Sequence, residues 1–362
     1  MVASLNILIT GNQGYVGPAV VRYLRDAHPD AQMWGYDTAF FAHALSGVAD
    51  APERVLTGQY FGDVRNIPGR CFEGVDAVVH LAAISNDPMG SQYEAVTNDV
   101  NQAASVACAV KAKAAGVRSF VFASSCSVYG FAPGGARRED DELAPQTAYA
   151  RSKVGAERAL AETGTGDMTV TCLRFATACG MSDRLRLDLV LNDFVASAVA
   201  KGEITVLSDG SPWRPLIDVV DMARAIDWAI GRPAKTGGRH LCVNIGSDVW
   251  NYQVRDLAEA VQTKVAGTRL SINTDAQPDK RSYRVDFSLF RDLAPAYQPQ
   301  VTLDASIDRL VDGLTRMNFV DADFRNSTFM RLKLLESHIQ SGRLSQNLEW
   351  LTGAGGACHD FS

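Results

Sequence analysis

The 362-residue chain has no block of Lys and Arg that could neutralise a row of phosphates, and its net charge is −6. Nucleic acid is therefore excluded as the main ligand. No apolar run approaches the roughly 18–20 residues of a membrane span. The opening Met-Val-Ala-Ser-Leu-Asn-Ile-Leu-Ile-Thr lacks a basic segment ahead of a long apolar one, so it does not read as a signal peptide. The seven cysteines include no C-x-x-C pair, and Cys108, Cys172 and Cys242 fall in apolar strand-like or helix-like runs. This predicts reduced, buried thiols in a cytoplasmic protein, with neither a disulfide framework nor a metal site. No linker rich in Pro and Gly, internal repeat or low-complexity segment interrupts the chain, except a flexible-looking tail at 352–362. Any second domain must therefore pack intimately on the first. What is present, 46% hydrophobic and 21% charged residues, suits a globular protein.

The first half alternates two periods. Asn6–Thr10, Gln32–Asp37, Val75–Ala83, Ser119–Ser124 and Met168–Phe175 read as strands, while the segment after Thr10, Asn98–Gly116 and Ala148–Glu162 read as helices. Repeated βα units predict an α/β fold of Rossmann type, a doubly wound parallel sheet over 1–175. His240–Ile245 returns to that sheet, so about 218–248 belongs with it. The less regular 176–217 and 249–350 form a smaller, discontinuous α/β domain. Helices are expected in this half of the chain over Leu187–Lys201, Asp221–Ile230 (within the returning 218–248 segment), Val254–Val265, Ser306–Met317 and Phe324–Ile339.

Between the first strand and first helix lies Thr10-Gly11-Asn12-Gln13-Gly14-Tyr15-Val16-Gly17. Gly11 allows the tight turn, Gly14 lets the backbone approach a pyrophosphate, and Gly17 lets helix and strand pack closely. The free N–H groups and positive dipole end of the helix face the anion. Asp37 ends the second strand, where a carboxylate accepts both ribose hydroxyls of an adenosine and repels a 2′-phosphate. No Lys or Arg occurs between Arg25 and Arg54 to pair with such a phosphate, so the cofactor is read as NAD, not NADP. Tyr149-Ala-Arg-Ser-Lys153 places a phenol and an ammonium on one helix face. A nearby ammonium and a nicotinamide cation favour the phenolate, which is then a usable base.

Taken with Gly62-Asp63-Val64, His80-Leu-Ala-Ala83, Ser124-Ser-Cys-Ser-Val-Tyr-Gly130, Leu173-Arg174-Phe175 and Arg214-Pro-Leu-Ile-Asp-Val-Val-Asp221, these motifs span roughly residues 5–290. In this order they resemble an extended short-chain dehydrogenase/reductase of the NAD-dependent nucleotide-sugar epimerase/dehydratase type. The resemblance implies that Gly11, Gln13, Gly14, Tyr15, Val16, Gly17, Asp37, Asp63, Val64, Leu81, Ala82 and Ala83 bind the cofactor. Asp63 and Val64 would contact its adenine, and Lys153 its nicotinamide ribose. Tyr149 would exchange a proton with a sugar hydroxyl whose oxygen also bonds Ser125. Ser85, Ser125, Ser127, Thr177, Asn192, Arg214, Arg281 and Arg284 become the substrate-binding candidates. The two Ala-rich helices become the interface of a homodimer.

The departures narrow the reaction. Dehydratases of this type carry an Asp-Glu pair after the catalytic hydroxyl, and here Cys126 and Ser127 stand there. The acidic run Glu139–Glu142 lies on the following loop and is expected to face solvent. The family's substrate-side Asn, His and Arg are replaced by Thr177, Asp218 and Ala276. What remains is hydride-and-proton shuttling on a nucleotide-diphosphate sugar, read as epimerisation at C4 through a transient 4-keto sugar. A 4-ketoreductase is the alternative, and a non-catalytic NAD(H)-binding regulator a minor one. A double epimerase at C3 and C5 would need its cysteine at Ser127. A hydrolase or transferase built on Cys126 lacks a base, because His80 and His240 read as core residues.

Overall fold

The computed structural model describes residues 4–351, except 86, 133, 165 and 277–281. The chain runs β1 (Asn6–Thr10), α1 (Gly17–Ala27), β2 (Gln32–Asp37), β3 (Gly58–Phe61), β4 (Ala77–His80), α2 (Asp87–Gln92) and α3 (Glu94–Asn98). A π-helical turn at Asp99–Ala103 leads into α4 (Ala104–Ala114), β5 (Ser119–Ser125), α5 (Ala148–Glu162), β6 (Thr169–Phe175) and β7 (Thr177–Cys179). Then come α6 (Val190–Lys201), β8 (Glu203–Val206), β9 (Trp213–Asp218), α7 (Val219–Gly231), β10 (His240–Ile245) and β11 (Asn251–Gln253). The last elements are α8 (Val254–Lys264), β12 (Arg269–Ile272), α9 (Ser288–Leu293), α10 (Leu303–Arg316) and α11 (Arg331–Gln340). Among the described residues, no helix is long and apolar enough to cross a membrane.

Seven parallel strands form the main sheet in the order β10-β6-β5-β4-β1-β2-β3. Strand side chains alternate between faces, and both faces are covered, so the strands read as unbroken apolar runs. Ile7 and Ile9 of β1 join one core with Val20, Val21 and Leu24 of α1 and Ala223, Ile226 and Ile230 of α7. Leu8 between them joins the other core, with Cys108 and Ala112 of α4 and Ala156 and Leu160 of α5. Strand order reverses between β1 and β4. The carboxyl ends at that switch leave a crevice, and Gly11, Asp37, Leu81 and Ser125 lie at the ends of β1, β2, β4 and β5.

The remaining strands make two small sheets, β11-β9-β7 and β12-β8, braced by α6, α8 and α10. The short edge strand β3 has no alternating pattern and escapes sequence reading. Phe324–Ile339, expected as one helix, is instead a 3₁₀ turn at Phe324–Asn326 followed by α11. Ser327 causes the break: its hydroxyl donates to the Phe324 carbonyl and accepts from the Phe329 N–H, which competes with helical pairing. The chain beyond α10 then crosses back to the Rossmann layer. Leu335, Leu344 and Leu348 build a third core with Phe40, Met89 and Tyr93.

Candidate active site

The crevice is a cavity of about 760 Å³ between the Rossmann layer and the later elements. Its floor is the glycine turn. Gly11 has φ of +77°, and a Cβ there would lie 2.5 Å from the Ala82 backbone nitrogen. A Cβ on Gly17 would lie 1.9 Å from the Asn12 carbonyl oxygen, so this helix start can sit so low only with glycine. No side chain caps α1, and its first-turn N–H groups remain available to an anion. Asp37 is buried. Its two oxygens accept the N–H groups of Gln13 and Ala39 at 2.9 and 2.8 Å. Burial pushes its carboxyl above the usual range, and those two bonds oppose the rise. A turn that orients a carboxylate at the end of β2 and bare amides at α1 fits the adenosine and pyrophosphate of a dinucleotide.

Gly11, Gly14, Tyr15, Val16, Asp37, Asp63, Val64 and Leu81–Ala83 all line the cavity. Two of the expected cofactor residues do not. The Gln13 side chain is buried and its N–H is spent on Asp37, so it positions the carboxylate from behind. Gly17 lies beneath the turn, against Asn12. Asp63 is paired with Arg65 at 2.5 Å.

At the other end, Tyr149 and Lys153 project from α5, whose first turn is capped by Thr147 accepting the Ala150 N–H. Lys153 is 2% exposed and donates to the Ala123 carbonyl of β5 at 2.6 Å. Its ammonium lies 4.6 Å from the centroid of the Phe122 ring and 5.7 Å from that of Tyr149. Burial lowers its pKa to about 8, against the opposing pull of Glu157. Tyr149 moves the other way. Burial raises its phenol to about 12, Asp87 adds to the rise, and a hydrogen bond with Ser125 and the charge of Arg186 oppose it. Lys153, whose ammonium lies 5.7 Å from the Tyr149 ring centroid, is the nearby cation the sequence places there, and Arg186 adds a second positive charge that opposes the rise.

Behind this pair lies a buried network. Glu157, one turn beyond Lys153, accepts from the Nε and Nη2 edge of Arg174 (2.8 Å at the closest) and from the Ser124 hydroxyl. Ser124 is thus tied to the scaffold, whereas Ser125 lines the cavity and touches Tyr149. Cys126 is fully buried, and its thiol donates to the Arg174 carbonyl at 3.0 Å, away from the cavity. His80 is held between Thr10 and Ser105 at 2.8 and 2.9 Å, with its pKa lowered to about 3 by burial. It is a core residue. Six described cysteines are unpaired, and Cys172, His240 and Cys242 on β6 and β10 bring their donor atoms within 4.8 Å of one another.

The substrate-side candidates divide. Ser85, Ser125, Ser127, Thr177 and Arg214 line the cavity. Asn192 does not: it is fully buried, donates to the Tyr15 hydroxyl and the Arg186 carbonyl, and accepts the Gly180 N–H. Its amide fastens the glycine turn to α6 because every polar atom is already used within the protein. Arg284 stacks 5.1 Å from the Trp213 ring centroid and lines a separate shallow groove. Arg281 lies outside the described residues. Asp218 is buried, caps α7 and binds Ser306 and Arg309, so its difference from the family's His is a matter of scaffold. Glu139 does not face solvent as expected. Its carboxylate accepts the Asn244 N–H at 2.8 Å and its carbonyl accepts from Arg174.

Sequence reading missed Arg186, Asp87, Tyr283 and Arg331, all on the cavity wall. Arg186 binds Asp188 through two bonds and Ser85 at 3.0 Å. Only the fold brings the four to one cavity wall.

The NAD dependent epimerase/dehydratase family model matches residues 7–246. The chain belongs to that family. It is similar to the low-salt glycan biosynthesis protein Agl12 of Haloferax volcanii, 26% identical over 320 residues that cover 85% of this chain and 98% of that protein. It is also similar to the UDP-glucose 4-epimerase of Neisseria meningitidis serogroup A, 28% identical over 301 residues, or 75% and 85% of the two chains. Among solved structures, an NAD-dependent NDP-hexosamine 5,6-dehydratase shares the fold with a TM-score of 0.75 at 22% identity, over 88% of this chain and 100% of that one. This family member is thus an NAD-dependent enzyme of the nucleotide-sugar epimerase/dehydratase group.

Proposed function

We propose that the protein epimerises a nucleotide-diphosphate sugar at C4. The observation that carries this reading is the Ser125–Tyr149 pair in the cavity wall, with Cys126 buried and turned away where a dehydratase carries a carboxylic acid. NAD supplies a hydride acceptor that returns the same hydride. Tyr149 takes the proton of the sugar 4-hydroxyl and gives it back, and Ser125 holds that oxygen in place. Lys153 and Arg186 place positive charge where the phenolate forms. Arg214 and Thr177, which also line the cavity, would hold the nucleotide diphosphate and sugar.

Incubation with UDP-, dTDP-, GDP- and CDP-sugars, followed by NMR at C4, tests the reading. One of them should interconvert with its C4 epimer without net change in NADH. Net NADH oxidation would point to a ketoreductase instead. Tyr149→Phe should lower turnover by at least about 10²-fold while NAD stays bound; an unchanged rate would remove Tyr149 from the chemistry. Denatured protein should release NAD and no NADP.

One observation favours a second reading. Asp87 lines the cavity and its charge bears on both Tyr149 and Tyr283. It offers a carboxyl that the Cys126-Ser127 positions lack, and elimination of water would follow from it. Mass spectrometry showing loss of water from the sugar would select that reaction. We further propose a homodimer through α4, the π-helical turn before it and α5, where the exposed Ala103 and Val110 offer an apolar face. A monomer in sedimentation at micromolar concentration would overturn it.

A further inference from the structure

One cation on the cavity wall has no task in the chemistry above. Arg331, the first residue of α11, is 2% exposed. Its Nη2 donates to the Arg184 carbonyl at 2.7 Å, and its guanidinium lies 4.6 Å from the centroid of the Phe41 ring. Its Nη1 is buried and has no hydrogen-bond partner among the described residues. The neighbouring arginines are matched: Arg184 binds Glu53 at 2.7 Å, and Arg186 binds Asp188 at 2.6 Å. No carboxylate among the described residues pairs with Arg331. Burial and the two other arginines lower its pKa to about 9, with Asp188 opposing. A buried, unpaired cation is costly unless an anion completes it.

The location says which anion. Arg331 lines the same cavity as Gly11, Gly14 and Tyr15 of the glycine turn, and Phe41, on which it stacks, follows Asp37 by four residues. The segment that carries it is fastened over the end of β2. Trp350 donates to the Thr38 carbonyl, His338 bonds the Phe40 carbonyl at 3.1 Å, and Arg65 donates to the Asn347 carbonyl at 3.0 Å. We propose that Arg331 donates to the diphosphate of the bound dinucleotide, opposite the amides of the glycine turn, so that the last helix of the chain completes the cofactor site. The guanidinium is fixed on one edge by Arg184 and on its face by Phe41. It therefore binds a phosphate with little further ordering.

The inference rests on the chain binding NAD as its family does. Wild-type calorimetry with NAD⁺ tests that separately. Arg331→Met should weaken NAD⁺ about 10- to 100-fold, the loss expected for one charge-assisted bond, and Arg331→Lys should weaken it less. Affinity for adenosine, which has no phosphate, should not change. Because a diphosphate also occurs on a nucleotide sugar, UDP is titrated alongside and its affinity should stay within twofold. Without cofactor, Arg331→Met should melt no lower than wild type, since it removes an unmatched buried charge. Unchanged NAD⁺ affinity in Arg331→Met would overturn the proposal. So would weakening of UDP alone, which assigns the residue to the substrate, and so would a lower melting temperature with proportional loss of every ligand, which assigns it to the scaffold.

Discussion

Replacing Lys153 by Met should make the cofactor-free protein more stable while disabling it. The ammonium is held at 2% exposure, and its pKa falls from 10.5 to about 8. Each unit corresponds to about 1.4 kcal/mol, so the charged form weakens folding by about 3 kcal/mol at neutral pH. The substitution also removes the bond to the Ala123 carbonyl, worth about 1 kcal/mol. About 2 kcal/mol of net stabilisation remains, or a few degrees in Tm. The pH dependence fixes the cause. Below pH 8 the lysine is protonated in both folded and unfolded chains, and the full penalty applies. Between pH 8 and 10.5 the unfolded chain holds the proton that the folded chain has lost, so wild-type stability gains a rising contribution that the variant lacks. Urea denaturation of both proteins from pH 7 to 10.5, with bound NAD removed and its absence checked by absorbance, measures this. A variant less stable at pH 7, or parallel profiles across that window, would refute the reasoning.

Arg174→Met should destabilise the fold by about 3–5 kcal/mol in urea, because it leaves Glu157 buried with only the Ser124 hydroxyl. Arg174→Met combined with Glu157→Met should cost well under the sum of the single changes. Gly11→Ala should cost about 2–4 kcal/mol in thermal unfolding, from its positive φ and the approach of the new methyl to the Ala82 backbone. It should also lower retained NAD measured after gel filtration.

The sheet was legible because a strand buried on both faces must be apolar throughout, and Asn6–Thr10, Gln32–Asp37 and His240–Ile245 begin and end where read. The glycine turn and the Tyr149–Lys153 pair were legible because short spacings encode them, whereas Ser125 came only with the family resemblance. Asn192 and Arg284 were misplaced for the opposite reason. A polar side chain outside a short motif serves the substrate or the scaffold according to contacts made across more than a hundred residues. Asn192 meets Tyr15, and Glu139 meets Asn244. Arg186 and Arg331 carried no signal at all, since a lone arginine looks alike on a surface and in a cavity.

The fastening of Trp350 to Thr38 and of His338 to Phe40 also makes the second strand's loop depend on residues 312 and 298 positions away. All seven strands of the main sheet lie before residue 246. The Leu344–Trp350 bridge sits beside the end of β2. A cut between α10 and α11 would thus leave every strand of the main sheet on one fragment and remove the contacts that hold Thr38 and Phe40.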